Sequence, residues 1–319
     1  MNQILEKIKN IGIVPVVVLD NAEDAKPLAK ALFDGGLPCA EVTFRTEAAE
    51  ESIKKIKEEF PDMLLGAGTV LEIEQVDRAT AAGATFIVSP GLNPDIVKHC
   101  MNKGIPIIPG VASPSEIEVA LSFGLEVVKF FPSEASGGIN MIKALAAPYT
   151  TIKFMPTGGI NEKNIQVYLA FDKIIACGGS WMVKNELIAG KEFDKIKKLT
   201  KQAVQLVHGF ELKHIGINCE NDEEADSVAS SFENIFGFEK KDGNNSIFAG
   251  GAIEAMKTPY TGKKGHIAIG TNNVSRAMSY LESRGVKFNM NSAKMANGKL
   301  MAVYLEEETG GFAVHLVQK

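Results

Sequence analysis

The stretch CAEVTFRTEAAEESIKKIKEEFPDMLLGAGTV, Cys39–Val70, decides the fold. It opens with an apolar, β-branched run at Cys39–Phe44 and passes through Glu47–Phe60, which has an acidic start and helical spacing. It then returns to an apolar, glycine-containing run at Leu64–Val70. Strand, helix and strand within about 30 residues make one parallel βαβ unit. The same rhythm holds outward, from residue 11 to about 207, with further strands expected at Ile13–Leu19, Phe86–Pro90, Ile105–Gly110, Glu126–Pro132, Lys153–Thr157 and Ile174–Gly178. Segments such as Asn21–Asp34 and Pro114–Phe123 read as helices between them. Most of the strands are apolar on both faces, as strands covered by helices should be. Eight repeats in roughly 200 residues predict an α/β fold, a compact (β/α)8 TIM barrel rather than an open sheet.

Around His208–Gly209 the rhythm changes. KHIGIN (Lys213–Asn218) is echoed by GHIAIG (Gly265–Gly270), with His214 and His266 at positions 52 apart. Each is followed by a helical segment, Asp222–Phe236 and then Val274–Arg284, and by hairpin-like strands. The expectation is a barrel over residues 1–208, then a small α+β domain of two βαβββ modules over residues 212–319. A chain of 319 residues suits two domains better than one.

Composition narrows the function classes. Lys and Arg number 34 against 39 Asp and Glu, net −5, so there is no basic surplus to neutralise a phosphate backbone, and no nucleic-acid partner is expected. No apolar run approaches the ~18 residues of a membrane span, and MNQILEKIKN has no secretory apolar core, so the expected location is cytoplasmic, away from membranes. Cys39, Cys100, Cys177 and Cys219 lack zinc-ribbon spacing and read as buried, reduced thiols.

In a (β/α)8 barrel the chemistry sits at the carboxyl ends of the strands. EVVKFFP (Glu126–Pro132) places an ammonium, Lys129, inside an apolar strand. Burial disfavours the charged form of an amine, and a free amine condenses with a ketone to a Schiff base. A lone lysine there is more often a snorkelling or ion-paired residue. Its company argues otherwise: AEVTFRT puts Glu41, Thr43 and Arg45 at alternate positions, hence on one side of the strand, toward the interior. Glu41 and Arg45 are either a buried ion pair or have separate tasks, with Arg45 gripping a carboxylate and Glu41 exchanging protons. Thr69, after the glycines of GAGTV, adds a hydroxyl. The loops PTGGI (Pro156–Ile160) and CGGSW (Cys177–Trp181) carry paired glycines after the seventh and eighth strands, where barrels frequently hold phosphate.

These residues bring a family into view. Residues 1 to about 207 resemble the 2-keto-3-deoxy-6-phosphogluconate (KDPG) / 4-hydroxy-2-oxoglutarate (KHG) aldolases. GLPCAEVTFRT (Gly36–Thr46) resembles the family's glutamate signature and GLEVVKFFPSEASGG (Gly124–Gly138) its Schiff-base lysine signature, and GAGTV, SPGL, IPGV, PTGGI and GGSW follow the family's order. The resemblance implies a metal-independent class I aldolase, with no cofactor, that cleaves a small 2-keto-3-deoxy acid. It implies imine formation at Lys129 and general acid/base work by Glu41 through a water. Arg45 and Thr69 would grip the carboxylate, Pro90 and Phe131 wall the pocket, and Thr157, Gly158, Gly159, Gly179 and Ser180 meet phosphate and hydroxyls at the aldehyde end. It further implies a homotrimer. Two departures stand out: PVVVLD (Pro15–Asp20) lacks the basic residue many members carry after the first strand, and Ser133 stands where alanine is common. The rival readings are a phosphosugar isomerase or epimerase on the same barrel, which needs no imine lysine, and a non-catalytic sugar-acid-binding regulator.

The second half is similar to the vicinal oxygen chelate superfamily, which includes glyoxalase I and extradiol dioxygenases. In its strands His214 shares a face with Gly216 and Asn218, and His266 with Ala268 and Gly270. Each histidine alone would read as a structural or surface imidazole. The resemblance implies one metal ligand from each of four strand positions, here His214, Glu254, His266 and His315. Imidazole and carboxylate suit Zn, Mn, Fe, Co or Ni. His315 departs from the glutamate usual at the last position.

Overall fold

The computed structural model describes residues 2–319, and the chain divides into two units, one up to Val207 and one from His208. In the first, nine short strands alternate with helices: β1 (Ile13–Val17), β2 (Cys39–Thr43), β3 (Leu64–Gly68), β4 (Phe86–Val88), β5 (Ile107–Ile108), β6 (Gly110–Val111), β7 (Val127–Phe130), β8 (Lys153–Pro156) and β9 (Cys177–Gly179). One parallel sheet has the order β5-β4-β3-β2-β1-β9, and a second has the order β6-β7-β8. β5 and β6 flank Pro109, whose missing N–H interrupts the strand expected at Ile105–Gly110. Bridges Phe154↔Ile174 and Thr157↔Gly178 carry β8 toward β9. The result is a curled parallel sheet of the TIM-like α/β kind.

All five residues of β2 and of β3 are buried, the signature of strands covered on both faces. The first helix, Gln3–Ile11, starts where the Asn2 side chain accepts from the N–H groups of Ile4 and Leu5, and ends at Gly12 with φ 79°. Its Ile4, Leu5, Ile8 and Ile11 pack into a cluster with Val14, Cys39, Leu64, Phe86, Val127 and Met155, residues at or near the amino ends of their strands. That cluster closes one end of the curled sheet and leaves chemistry to the other. The eighth strand begins three residues later than Ile174, where its sequence signal starts, because Ile174 makes only a single bridge and Cys177–Gly179 pairs with β1. The helix expected from Asn21 opens as a 3-10 turn at Ala22–Asp24 before Ala25–Asp34.

The second unit is sheet-rich. β10 (Glu211–Asn218), the helix Asp222–Phe236, and β11 (Lys240–Asp242), β12 (Ser246–Ala249) and β13 (Ile253–Met256) come first. β14 (Gly265–Thr271), the helix Val274–Glu282, and β15 (Phe288–Ala296), β16 (Lys299–Leu305) and β17 (Phe312–Gln318) follow. They form one eight-stranded sheet in the order β11-β12-β13-β10-β14-β17-β16-β15. β10 and β14 meet antiparallel at its centre, and each pairs in parallel with the last strand of its own half. Asn221 and Asn273 cap the two helices in the same way, each accepting a backbone N–H at its side-chain oxygen. Each helix covers its own cluster, one around Ala225, Ala229 and Ile247, the other around Val274, Ala277 and Val303.

Candidate functional sites

At the carboxyl end of the curled sheet, Lys129 Nζ lies 3.6 Å from Glu41 Oε1, with the side chains 5% and 0% exposed. At that distance the two are an ion pair and not a hydrogen bond. Neither Glu41 oxygen has a hydrogen-bond partner among the described residues. A buried carboxylate with no hydrogen bond is costly in a fold even beside a cation, and such groups are candidates for places where chemistry is done. The space for it is made by Gly68, where a Cβ would lie 2.1 Å from Glu41 Oε1. Lys129 is fixed by strand pairing, with its N–H donating to the Pro109 carbonyl at 2.8 Å and its residue in register with Gly110. Its ammonium sits 5.0 Å from the centre of the Phe131 ring. Pro90 joins this group through Gly110, where a Cβ would meet the Pro90 carbonyl oxygen at 2.0 Å.

The alternation of β2 does not carry Arg45 into the interior. Glu41 and Thr43 are buried, but the strand ends at Thr43 and Arg45 is exposed, because the chain turns there. Arg45 Nε instead donates to Thr69 Oγ1 at 3.1 Å. Thr69 holds φ 55°, a conformation unusual outside glycine that aims its hydroxyl at the guanidinium. Thr43 Oγ1 donates to the Val17 carbonyl at 2.9 Å and ties β2 to β1.

At the glycine loops, Thr157 is buried with Oγ1 unpartnered, and Gly158 and Gly159 follow with φ 97° and 83°, values that favour glycine. Gly179 is buried and Ser180 is exposed in the turn after β9. Sequence reasoning missed two features here. The Trp181 ring lies against Gly179, where a Cβ would be 2.2 Å from it. A buried hydroxyl chain also braces the loop after β7: Ser133 Oγ donates to Tyr168 Oη at 3.1 Å, and Tyr168 Oη donates to Glu134. Burial, and then the Glu134 carboxylate, push the Tyr168 phenol up to about 12. The same loop is stapled to the glycine loop by Ser133 N–H to Thr157 O and Glu134 N–H to Gly158 O. Tyr168 is 34 residues from Glu134, a separation at which no local pattern signals contact.

In the second unit four side chains converge across the sheet. His214 Nε2 and His266 Nε2 are 3.1 Å apart, and Glu254 Oε2 lies 3.0 Å from His266 Nε2 and 3.2 Å from His214 Nε2. His214, His266 and His315 each present a ring nitrogen within 4.8 Å of the others. Register explains the convergence: Gly216 sits between Glu254 and His266, and Ala268 between His214 and His315, so small residues leave room for the rings. A Cβ on Gly216 would lie 2.1 Å from His266 Cε1. Ligand atoms held at about 2.0–2.2 Å from a first-row ion stand about 2.9–3.4 Å from one another, the spacing of these three atoms.

The electrostatics agree. Burial works to raise the Glu254 carboxyl, but hydrogen bonds from His214, His266 and Ser246 outweigh it and hold the group well below the usual carboxylate range. Burial, with His266 and His214 as neighbours, pulls His315 down to about 4, so its imidazole is neutral. Neither His315 nitrogen has a partner among the described residues, and its ring stacks on Tyr304 at 4.6 Å. Ser246 Oγ donates to Glu254 Oε1 at 2.7 Å and leaves Oε2 facing the histidines.

Comparison with known proteins gives a family for the first unit. The family model for KDPG and KHG aldolase matches residues 4–199. The 2-dehydro-3-deoxy-phosphogluconate aldolase of Treponema pallidum is 53% identical over 207 residues, 65% of this chain and 99% of that protein. The KHG/KDPG aldolase of Escherichia coli K12 is 42% identical over 201 residues, 63% of this chain and 94% of that one. Among solved structures, the KDPG aldolase of Legionella pneumophila, with pyruvate captured as a covalent carbinolamine, is 42% identical. It superposes with a TM-score of 0.61 over 64% of this chain and 98% of that one. The aldolase of Zymomonas mobilis with 3-phosphoglycerate, 39% identical, gives 0.59 over 63% and 95%. All four free cysteines are buried, and no described helix is long and apolar enough to cross a membrane.

Proposed function

The chain belongs to the KDPG and KHG aldolase family, and from that premise we propose that Lys129 is the amine of a class I aldolase and Glu41 its proton carrier. The reaction cleaves 2-keto-3-deoxy-6-phosphogluconate to pyruvate and glyceraldehyde 3-phosphate, and 4-hydroxy-2-oxoglutarate to pyruvate and glyoxylate. The observation that carries the assignment is the buried pair itself, Lys129 Nζ 3.6 Å from a carboxylate whose oxygens are otherwise unbonded.

Lys129 gives its ammonium proton to Glu41 and attacks the C2 carbonyl as the free amine; Glu41 then returns the proton to the carbinolamine hydroxyl, which leaves as water to give the iminium. Glu41, within proton-relay distance through one water, takes the C4 hydroxyl proton; the C3–C4 bond breaks, its electrons pass to the iminium nitrogen, and the aldehyde leaves. Protonation of the enamine at C3 and hydrolysis release pyruvate and the free lysine. Arg45, hydrogen-bonded to Thr69, grips the carboxylate, Pro90 and Phe131 form the pocket wall, and Thr157, Gly158, Gly159, Gly179 and Ser180 receive the aldehyde end. Borohydride with pyruvate should add covalent mass at Lys129, and Lys129→Ala should abolish cleavage. A folded protein that gains no adduct would overturn the assignment.

The curled sheet is read as a closed (β/α)8 barrel, supported by the bridges between β8 and β9, and the assembly as a cytoplasmic homotrimer, in keeping with the family resemblance and four free thiols. Sedimentation velocity tests the trimer.

The second unit is read as two βαβββ modules of the vicinal oxygen chelate type, supported by the mirrored strand order about β10 and β14. Its His214, Glu254, His266 and His315 would hold a divalent ion of the Zn, Mn, Fe, Co or Ni group, which the 3.0–3.2 Å spacing of the His214, His266 and Glu254 atoms supports, with a His315 ring nitrogen within 4.8 Å of those of the other two histidines. When bound, such an ion polarises oxygens placed on it. Elemental analysis of protein purified without chelator, compared with the His214→Ala/His266→Ala double variant, tests this; equal metal content in both rejects it.

A further inference from the structure

Two successive glycines, Gly158 and Gly159, shape the loop after β8. Glycine has the most backbone freedom of any residue, so the direction of their peptide groups has to be imposed from outside. The carbonyls of Thr157, Gly158 and Gly159 are all taken. Ser133 N–H donates to Thr157 O at 2.8 Å and Glu134 N–H to Gly158 O at 3.0 Å, two ties of backbone to backbone. The third is made by side chains: Asn161 Nδ2 donates to Gly159 O at 3.0 Å and Asn164 Nδ2 at 3.1 Å. Asn164 is itself held in orientation, because its Oδ1 accepts the Asn161 N–H at 2.9 Å and leaves its amino half for the carbonyl. Asn161 Oδ1 accepts the Lys163 N–H at 2.9 Å and so caps the turn that leads to the helix Ile165–Leu169. In a planar trans peptide the C=O and the following N–H point in opposite directions. Fixing the Gly159 carbonyl therefore turns the Ile160 N–H away from the asparagines. The two backbone ties likewise turn the N–H groups of Gly158 and Gly159 away from the loop after β7. Successive backbone N–H groups fixed in a turn make a concavity suited to anions.

Resting on the aldolase reading above, we infer that Asn164, seconded by Asn161, is a positioning residue that sets the affinity for the substrate's terminal phosphate, acting through the Gly159 carbonyl and not by contact. Amides aimed before binding need no reordering when the anion arrives, and the asparagines supply that order. Their ties are local to the loop after β8, whereas Lys129 and Glu41 stand on β7 and β2, so the bond-breaking step is left alone.

The test assays the full chain for pyruvate release from 2-keto-3-deoxy-6-phosphogluconate and from its unphosphorylated counterpart, 2-keto-3-deoxygluconate. In Asn161→Ser/Asn164→Ala, KM for the phosphorylated acid should rise about tenfold, the loss of two neutral hydrogen bonds, with kcat within about threefold. For the unphosphorylated acid kcat/KM should stay within about twofold, and borohydride trapping of pyruvate at Lys129 should be unchanged. The serine keeps an oxygen that can accept the Lys163 N–H, so the turn retains its cap. Asn164→Ala alone should give a smaller rise, since Asn161 still holds the carbonyl. A KM for the phosphorylated acid within about twofold of the unsubstituted value in the double variant overturns the inference. So does an equal loss of kcat/KM on both acids, which is what a general collapse of the loop gives. Either result leaves the aldolase reading standing. An unsubstituted chain that releases pyruvate from neither acid and gains no borohydride adduct overturns both.

Discussion

Gly68→Ala tests whether the catalysis proposed for Lys129 and Glu41 depends on where Glu41 is held and not merely on its presence. A Cβ at residue 68 would stand 2.1 Å from Glu41 Oε1, 2.7 Å from Cγ and 2.8 Å from Cδ, and real Cβ atoms essentially never approach another atom closer than 3.0 Å. The carboxylate must therefore retreat by about 1 Å, since β3 is buried along its whole length and cannot yield in its place. A displacement of that size at a proton-transfer group costs on the order of 10²-fold in rate. The overpacking itself costs about 1–3 kcal/mol of stability. The amine is untouched, so borohydride trapping of pyruvate at Lys129 should persist while kcat for pyruvate release, read by a lactate dehydrogenase couple, falls about a hundredfold. Glu41→Gln should fall at least as far. A folded Gly68→Ala protein with kcat within about threefold of the unsubstituted chain would refute the assignment of proton transfer to Glu41.

Three further outcomes are expected. Tyr168→Phe leaves the buried Ser133 hydroxyl without its acceptor and releases Glu134; urea unfolding should show a loss of about 1–3 kcal/mol. Its KM for phosphorylated substrate should rise while pyruvate trapping is unchanged, because the loop it braces is joined to Gly158. Ser246→Ala frees Glu254 Oε1, and metal affinity measured by competition with a chromophoric chelator should drop about 10–100-fold. His208 is buried against Phe210 and Tyr280, and burial, then the Arg276 charge, lower it from 6.5 to about 3. The unfolded chain therefore binds the extra proton first. The stability this residue protects is whole above pH 6.5 and is lost as pH falls toward 3, on the order of 5 kcal/mol in all. In His208→Phe that part of the slope of stability against pH between 6.5 and 4 should vanish.

What could be read from the sequence follows from what local chemistry encodes. Repeating apolar runs and helix caps are local, so β2, the helix Ala49–Glu59 and β3 stand close to where the stretch Cys39–Val70 puts them. Lys129 and Glu41 could be singled out only together, because either charge alone inside an apolar strand reads as a snorkelling or ion-paired residue. Arg45 shows the limit of period-two reasoning: alternation says which side a residue takes while the strand lasts, and the strand ends two residues earlier. Tyr168, Trp181 and Ser246 were hidden for a different reason. Each matters through a partner fixed by tertiary packing, and a tyrosine in an apolar helix face looks the same whether its hydroxyl braces a loop or meets solvent. The four residues of the second unit lie between these cases. Their repeat spacing is visible, but their convergence depends on Gly216 and Ala268 sitting opposite the rings, which only the register of β10 on β14 decides. The glycine signals are thus the most informative of the silent ones: at residues 68 and 216 the missing Cβ is the space that Glu41 and His266 occupy. If that is right, alanine at either position should damage function through its neighbour while leaving the chain's own backbone geometry free to persist, since neither glycine sits at a positive φ.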